Sequence, residues 1–270
     1  MCFFLKKKNI KKKIKKGCVW LVGAGPGDAE LLTLKALKIL KKSDVILFDN
    51  LISSEILKKI SKKTICINVG KKFNYHEFKQ NNIYNIIKHF VLKGYVVVRL
   101  KGGDPFIFGR GGEEIENLNK IGISCKIIPG ITAAIGCAAS IGIPLTHREL
   151  GQSVCFISGY NKSGQPNLKN YIYAKQNQTL IFYMCMHWIK SISIQLKTYG
   201  MCLDTPIAII ENGTRINQKV IITNLKRLIK TIEKEKPKSP TLLIVGEVVN
   251  IYKNFVSNTK KNDISCSFKK

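Results

Sequence analysis

No two cysteines in this chain have the CxxC spacing, and only four histidines stand beside the nine cysteines. The ligand sets of zinc ribbons and zinc fingers are therefore missing. Nine cysteines in 270 residues are also too sparse for a small disulfide scaffold. A reducing compartment, a cytoplasmic location and no metal are expected. Long apolar runs are lacking too. The stretch from Ile131 to Ile143 is broken by Gly136, Ser140 and Gly142. It falls short of the roughly 18 apolar residues of a membrane helix, so no membrane partner is expected. Acidic residues are few, 17 against 45 basic ones, for a formal charge of +28. Arginine is scarcer still: Arg99, Arg110, Arg148, Arg215 and Arg227 are the whole set. A surface built to grip phosphates would use more of it. The charge reads as lysine serving as the default surface residue in an Ile-, Asn- and Lys-rich chain, and no nucleic-acid partner is expected.

What is present is an ordinary globular composition, 45% hydrophobic and 23% charged. This excludes a collagen-like or wholly disordered chain. Residues 1–16 place apolar Cys2 to Leu5 ahead of lysines, the reverse of a secretory signal. They are expected to be a basic arm, and residues 251–270 a basic tail. Between them, strands are predicted at Cys18–Val22, Val45–Phe48, Thr64–Val69, Tyr95–Leu100 and Ser124–Ile128. Helices are predicted at Leu31–Leu40, Ser54–Ile60, His76–Leu92, Glu113–Lys120 and Thr132–Ser140. Strand–loop–helix alternation of this kind predicts an α/β domain with a mostly parallel sheet over 17–141. A second, mixed α/β domain with more antiparallel character is expected over 142–250. Its strands are predicted near 153–158, 179–183, 206–211, 219–223 and 241–245, its helices over 187–198 and 225–234, with a polar loop at 159–167.

Two glycine-rich loops follow predicted strands. Gly23 to Asp28 lacks both the GxGxxG arrangement and the Lys-Ser/Thr pair of a P-loop, so it can be a plain tight turn or a cleft wall stiffened by Pro26. The run Gly102 to Glu114 is more informative, with five glycines, one proline and four charged residues. At the C-terminal edge of a parallel sheet, ligands sit in such loops. Asp49 ends an apolar strand, where it can accept a proton, hold an N–H or cap a turn. Lys71 follows another strand end. Asp104 can bind a ligand ammonium or cap the turn at Pro105. Arg110, His147 and Arg148 can pair with carboxylates or face solvent.

These segments together resemble the tetrapyrrole methylase superfamily, and within it the uroporphyrinogen-III C-methyltransferases. The matching pieces are VGAGPGD at 22–28, FDNLIS at 48–53, VGK at 69–71, GGDPFIFGRGGEE at 102–114, PGITAA at 129–134, GIPLTHR at 142–148 and VGEVV at 245–249. They fall in order across about residues 17–250. GRGGEE and GIPLTHR favour the branch acting on uroporphyrinogen III over enzymes of later precorrins. The resemblance implies two α/β domains with S-adenosylmethionine in the cleft between them, and a homodimer. It implies cofactor contacts from Pro26, Gly102, Gly103, Asp104, Ile107, Thr132, Ala133, Met184 and Gly213. It implies Asp49 as proton acceptor and Lys71 as proton donor; the carboxylates that Arg110, His147 and Arg148 can pair with would then be the substrate's. The expected reaction is methylation at C2 and C7, giving precorrin-2 by way of precorrin-1. Two positions depart from the family. Tyr183-Met184 is followed by Cys185 where glycine is common, and Ser158-Gly159-Tyr160 stands where Thr-Gly-His is usual.

Overall fold

The computed structural model describes residues 17–70, 80–159, 166, 168 and 177–252. The arm at 1–16, Lys71, Tyr160, the start of the helix predicted from His76 and most of the basic tail lie outside the described residues.

The first sheet holds β1 (Cys18–Gly23), β2 (Val45–Phe48), β3 (Ile65–Asn68), β4 (Val96–Lys101) and β5 (Cys125–Ile128), in the order β3-β2-β4-β1-β5. All its pairings are parallel. The inner strands β1, β2 and β4 are buried on both faces and read as Val-, Ile- and Leu-rich runs for that reason, while the edge strand β3 stays largely exposed. One face packs Val22, Leu40, Ile46 and Ile56 together; the other packs Val45, Leu47, Ile87 and Leu118. The covering helices are α1 (Leu34–Lys42), α2 (Ser54–Lys58), α3 (Gln80–Leu92) and α4 (Gly111–Lys120).

The helix expected from Leu31 is split. A short 3-10 turn at Ala29–Leu31 comes first, and α1 starts only at Leu34. Two caps cause the break. Asp28 accepts from the Glu30 N–H at 2.8 Å, and Thr33 accepts from the Ala36 N–H at 3.1 Å. Each cap fixes its own helical start, so one continuous helix cannot run through both.

The second sheet holds β6 (Ser153–Ser158), β7 (Gln178–Tyr183), β8 (Pro206–Glu211), β9 (Lys219–Asn224) and β10 (Thr241–Val245), in the order β6-β7-β10-β8-β9. Only β6 and β7 pair in parallel; the other three pairings are antiparallel. Helices α6 (Ile189–Thr198) and α7 (Leu228–Glu235) cover one face through Ile192, Leu196 and Leu228.

The other face is covered by α5 (Ala133–Ser140), which follows β5 of the first sheet. Its Ala134, Cys137 and Ala138 pack against Ile181, Ala208, Ile210 and Ile244. Small side chains let this helix lie close to the sheet. Its Gly136 could not carry a Cβ without meeting the Pro26 ring at 2.5 Å. Thus α5 joins the two halves: it continues the first sheet's chain and completes the second sheet's core.

Candidate functional site

The loops after β1, β2, β4 and β5 leave the first sheet at one edge, as a parallel sheet requires. They are knitted to one another through glycine backbone. Gly25 and Gly103 form an antiparallel bridge, with N–H to C=O distances of 3.1 and 2.7 Å. Gly103 holds this bridge at a φ of +66°, which favours glycine. A Cβ at Gly23 would come within 2.5 Å of the Gly130 nitrogen and 2.7 Å of the Gly103 oxygen. The N–H and C=O of Gly103 are thus both used by Gly25. Asp104 belongs to the same weave. Its Oδ1 accepts from the Phe106 N–H at 2.8 Å, and its Oδ2 accepts from the Gly130 N–H at 2.9 Å. It therefore caps the turn after β4 and ties that loop to the one after β5.

These loops and the ends of β7, β8 and β10 enclose a cleft of about 390 Å3. That is within the size range of small-molecule sites. Pro26, Gly102, Gly103 and Ile107 line it from the first half. Thr132 and Ala133 line it at the start of α5, and Met184 and Gly213 from the second half. Asp49 and Arg110 also reach it. Met184 is 44% exposed, so it is a cleft residue rather than core. Cys185 is wholly buried in the wall beside it. Asp104 does not line the cleft. His147 and Arg148 line a separate surface depression with Gln152, where His147 pairs its backbone with Gly151. The structure does not bring them to the cleft wall.

Backbone strain gathers here. Phe108, Arg110 and Met184 line the cleft with φ of 52°, 57° and 52°. Asn212 and Thr214, on either side of Gly213, have φ of 50° and 66°. Each such non-glycine residue costs of order 1–3 kcal/mol, and such strain concentrates where ligands are held. Arg110 sits at the start of α4 and pairs with Glu113, its Nε lying 3.0 Å from Oε2.

Three features escaped the sequence reading. The first is a buried charge network. Glu114 Oε1 accepts from Lys101 Nζ at 2.9 Å and Arg99 Nε at 3.4 Å. Arg99 Nη2 is 3.9 Å from Asp49 Oδ2. Burial, and then the Arg99 charge, push the Lys101 pKa below the usual lysine value. Asp49 is anchored besides by the Leu51 N–H, 3.0 Å from its Oδ1. The second feature is Arg215, whose Nη2 donates to the Leu51 carbonyl at 2.6 Å, from the second half to the first. Next to it, Thr214 Oγ1 accepts from the Asp28 N–H at 3.1 Å. The third is Tyr183, whose hydroxyl reaches the start of α5; burial pushes its pKa up. Signals existed for two of them. Arg99 and Lys101 are charges inside an otherwise apolar strand, and Arg215 is one of five arginines in a lysine-rich chain.

A parallel α/β sheet and a mixed sheet meeting at one strand-end cleft define a two-part α/β protein built around a small-molecule site. The pattern of the tetrapyrrole (corrin/porphyrin) methylases matches residues 18–229, and the chain belongs to that family. Among relatives, a siroheme synthase of Ruthia magnifica subsp. Calyptogena magnifica is 46% identical over 239 residues, 88% of this chain and 51% of that protein. The chain thus spans about half the length of the curated relatives it matches. Among solved structures, the native uroporphyrin III C-methyl transferase of Thermus thermophilus is 35% identical with a TM-score of 0.75, covering 87% of this chain and all of that one. The Thermus thermophilus enzyme complexed with S-adenyl homocysteine is 33% identical with a TM-score of 0.75, covering 87% and 94%.

Proposed function

We propose that this chain transfers methyl groups from S-adenosylmethionine to uroporphyrinogen III, at C2 and C7, giving precorrin-2 by way of precorrin-1. The observation that carries the reading is the cleft: Pro26, Gly102, Ile107, Thr132, Met184 and Gly213, far apart in sequence, line one cavity. Its walls suit an adenosyl group. They are largely apolar, and Gly213, which packs too close to Cys137 for a Cβ, offers only backbone to the space. The Thermus thermophilus complex supports the same cofactor.

When bound, S-adenosylmethionine supplies a methyl group on an electrophilic sulfonium. The chain's residues must align a pyrrole carbon with that methyl and exclude water. Gly102, Gly103 and Ile107 form one wall, and Asp104 fixes that wall from behind through Gly130. Thr132, Ala133, Met184 and Gly213 form the facing side. Asp49 takes the proton that the methylated ring loses, or holds a pyrrole N–H. Lys71, by resemblance, returns a proton. Arg110 pairs with substrate carboxylates near the cleft, and His147 and Arg148 with those at the edge of a macrocycle.

Residues 17–141 and 142–250 serve as two domains in this reading. The strands of the first sheet all fall in the former and those of the second in the latter. The working form is a homodimer in the cytoplasm. The family resemblance supports the dimer, and free thiols at Cys66 and Cys202 on the surface support a reducing compartment. Among the described residues, no helix is long and apolar enough to cross a membrane.

The test is incubation with uroporphyrinogen III and isotopically labelled S-adenosylmethionine, with methyl groups counted by mass. Two added methyls are expected. Absence of transfer to uroporphyrinogen III, with transfer to a later precorrin, would reassign the substrate.

A further inference from the structure

Lys101 ends β4 with its side chain buried against Glu114 of α4, yet it also lines the cleft. Its neighbour in the charge network, Arg99, is fully engaged. Arg99 Nε faces Glu114, Nη1 donates to the Leu100 carbonyl at 3.1 Å, and Nη2 faces Asp49. Lys101 is not. An ammonium has three N–H donors, and Glu114 Oε1 is its one hydrogen-bond acceptor among the described residues. Two donors remain on a cation that is only 6% exposed. Glu114 is strained in the same way, since its Oε2 is buried without a hydrogen-bond partner. A buried ammonium with uncommitted donors costs free energy until an acceptor meets it.

We propose that Lys101 is a ligand-binding residue of the cleft, held in place by Glu114, and that its free N–H groups take a carboxylate of a bound ligand beside Asp49. This rests on the methyltransferase reading, in which both ligands carry carboxylates: the cofactor on its amino-acid end, the porphyrinogen on its acetate and propionate arms. The four network charges sum to zero, two cations against two carboxylates. Asp49 and Lys101 are the two members that line the cleft. An incoming carboxylate offsets both effects that weaken the Lys101 charge, namely burial and the nearby guanidinium of Arg99.

Two variants test this. Lys101→Met removes the donor. The double variant Lys101→Met with Glu114→Gln removes it without orphaning a buried carboxylate, leaving Arg99 and Asp49 to balance each other. Each is titrated with S-adenosylhomocysteine and with methylthioadenosine, which lacks the carboxylate, and assayed for the KM of uroporphyrinogen III. If Lys101 takes the cofactor's carboxylate, S-adenosylhomocysteine binding weakens about tenfold or more while methylthioadenosine binding holds. If it takes a porphyrinogen arm, both nucleosides bind as before and KM rises about tenfold or more. Lys101→Arg is expected to restore most of the loss. Unchanged binding and KM in the double variant would overturn the assignment. So would an equal loss for both nucleosides, which would mark a structural role. A wild-type chain that binds no S-adenosylhomocysteine would instead overturn the functional reading beneath it.

Discussion

Tyr183 Oη lies 2.7 Å from Thr132 Oγ1, so the end of a strand in the second sheet is bonded to the first turn of the helix leaving the first sheet. The same hydroxyl accepts from the Ala134 N–H at 2.9 Å. Thr132 stands at the N-cap of α5 but makes no cap bond of its own. Tyr183 supplies the cap in its place, with its ring resting on Phe108 at 4.9 Å between centroids. The substitution Tyr183→Phe keeps the ring and removes the cap. It leaves an N–H and a hydroxyl short of a partner, at a cost of about 1–3 kcal/mol in urea unfolding. Because Thr132 and Ala133 line the cleft, S-adenosylhomocysteine should bind more weakly as well. Unchanged unfolding and unchanged titration would remove the cap from the account.

Asp49→Asn separates charge from shape. The amide oxygen can still accept from the Leu51 N–H, so the turn after β2 persists. What goes is the negative charge facing the cleft and Arg99. If Asp49 is the base, kcat should fall by about a hundredfold or more. Cofactor affinity should stay within about twofold, since the expected cofactor contacts lie elsewhere on the wall. A variant turning over at the wild-type rate would exclude Asp49 as proton acceptor.

Arg215 fastens the second half to the loop after β2, and the loop after β1 is shaped to let it pass. Gly27 has a φ of +154°, and a Cβ there would come within 2.8 Å of the Arg215 stem. Arg215→Met keeps much of the stem and loses the bond to the Leu51 carbonyl. The expected result is a rise in cofactor KM with a smaller change in kcat, and a stability loss of about 0.5–1.5 kcal/mol. Arg215 Nε is buried with no hydrogen-bond partner, so the measured loss should fall at the low end of that range. A fall in kcat with KM unchanged would mean that Arg215 acts on the chemistry and not on the closure of the cleft.

The order of strands and helices was legible because parallel strands are continuous apolar runs ended by Gly- or Pro-rich loops. β2 illustrates it: the apolar letters stop where Asp49 begins. The residues of the cleft were legible only through the resemblance, since nothing in a single sequence places Met184 opposite Gly103. Arg99 and Lys101 stood out as charges in an apolar strand, but their pairing with Glu114 was not legible. A charge in a strand declares itself buried only once its neighbours are known, and Glu114 arrives from a helix 13 residues beyond Lys101. The Tyr183 cap hid for the same reason. A tyrosine ending an apolar strand reads as core until α5 is placed over the second sheet.

Cys137 and Cys185, both in the cleft wall, make stability fall with rising pH. Burial pushes each thiol from an ordinary value of 9.0 up to about 12. Well below pH 9 both states keep the proton and nothing is lost. Between pH 9 and 12 the unfolded chain ionises while the folded one does not, so the unfolded state binds fewer protons and stability drops as pH rises. At pH 10 each thiol accounts for about 1.4 kcal/mol of that loss. The check is the pH dependence of urea unfolding for the wild type and for Cys137→Ala. The variant forfeits packing at every pH, but its loss between pH 8 and pH 10 should be smaller by about 1 kcal/mol. Lysines and tyrosines that titrate over this range do so in both chains and cancel in the difference. Parallel curves for the two proteins would mean that Cys137 ionises in the folded state as readily as in the unfolded one, and that the cleft wall around Gly213 is open to water.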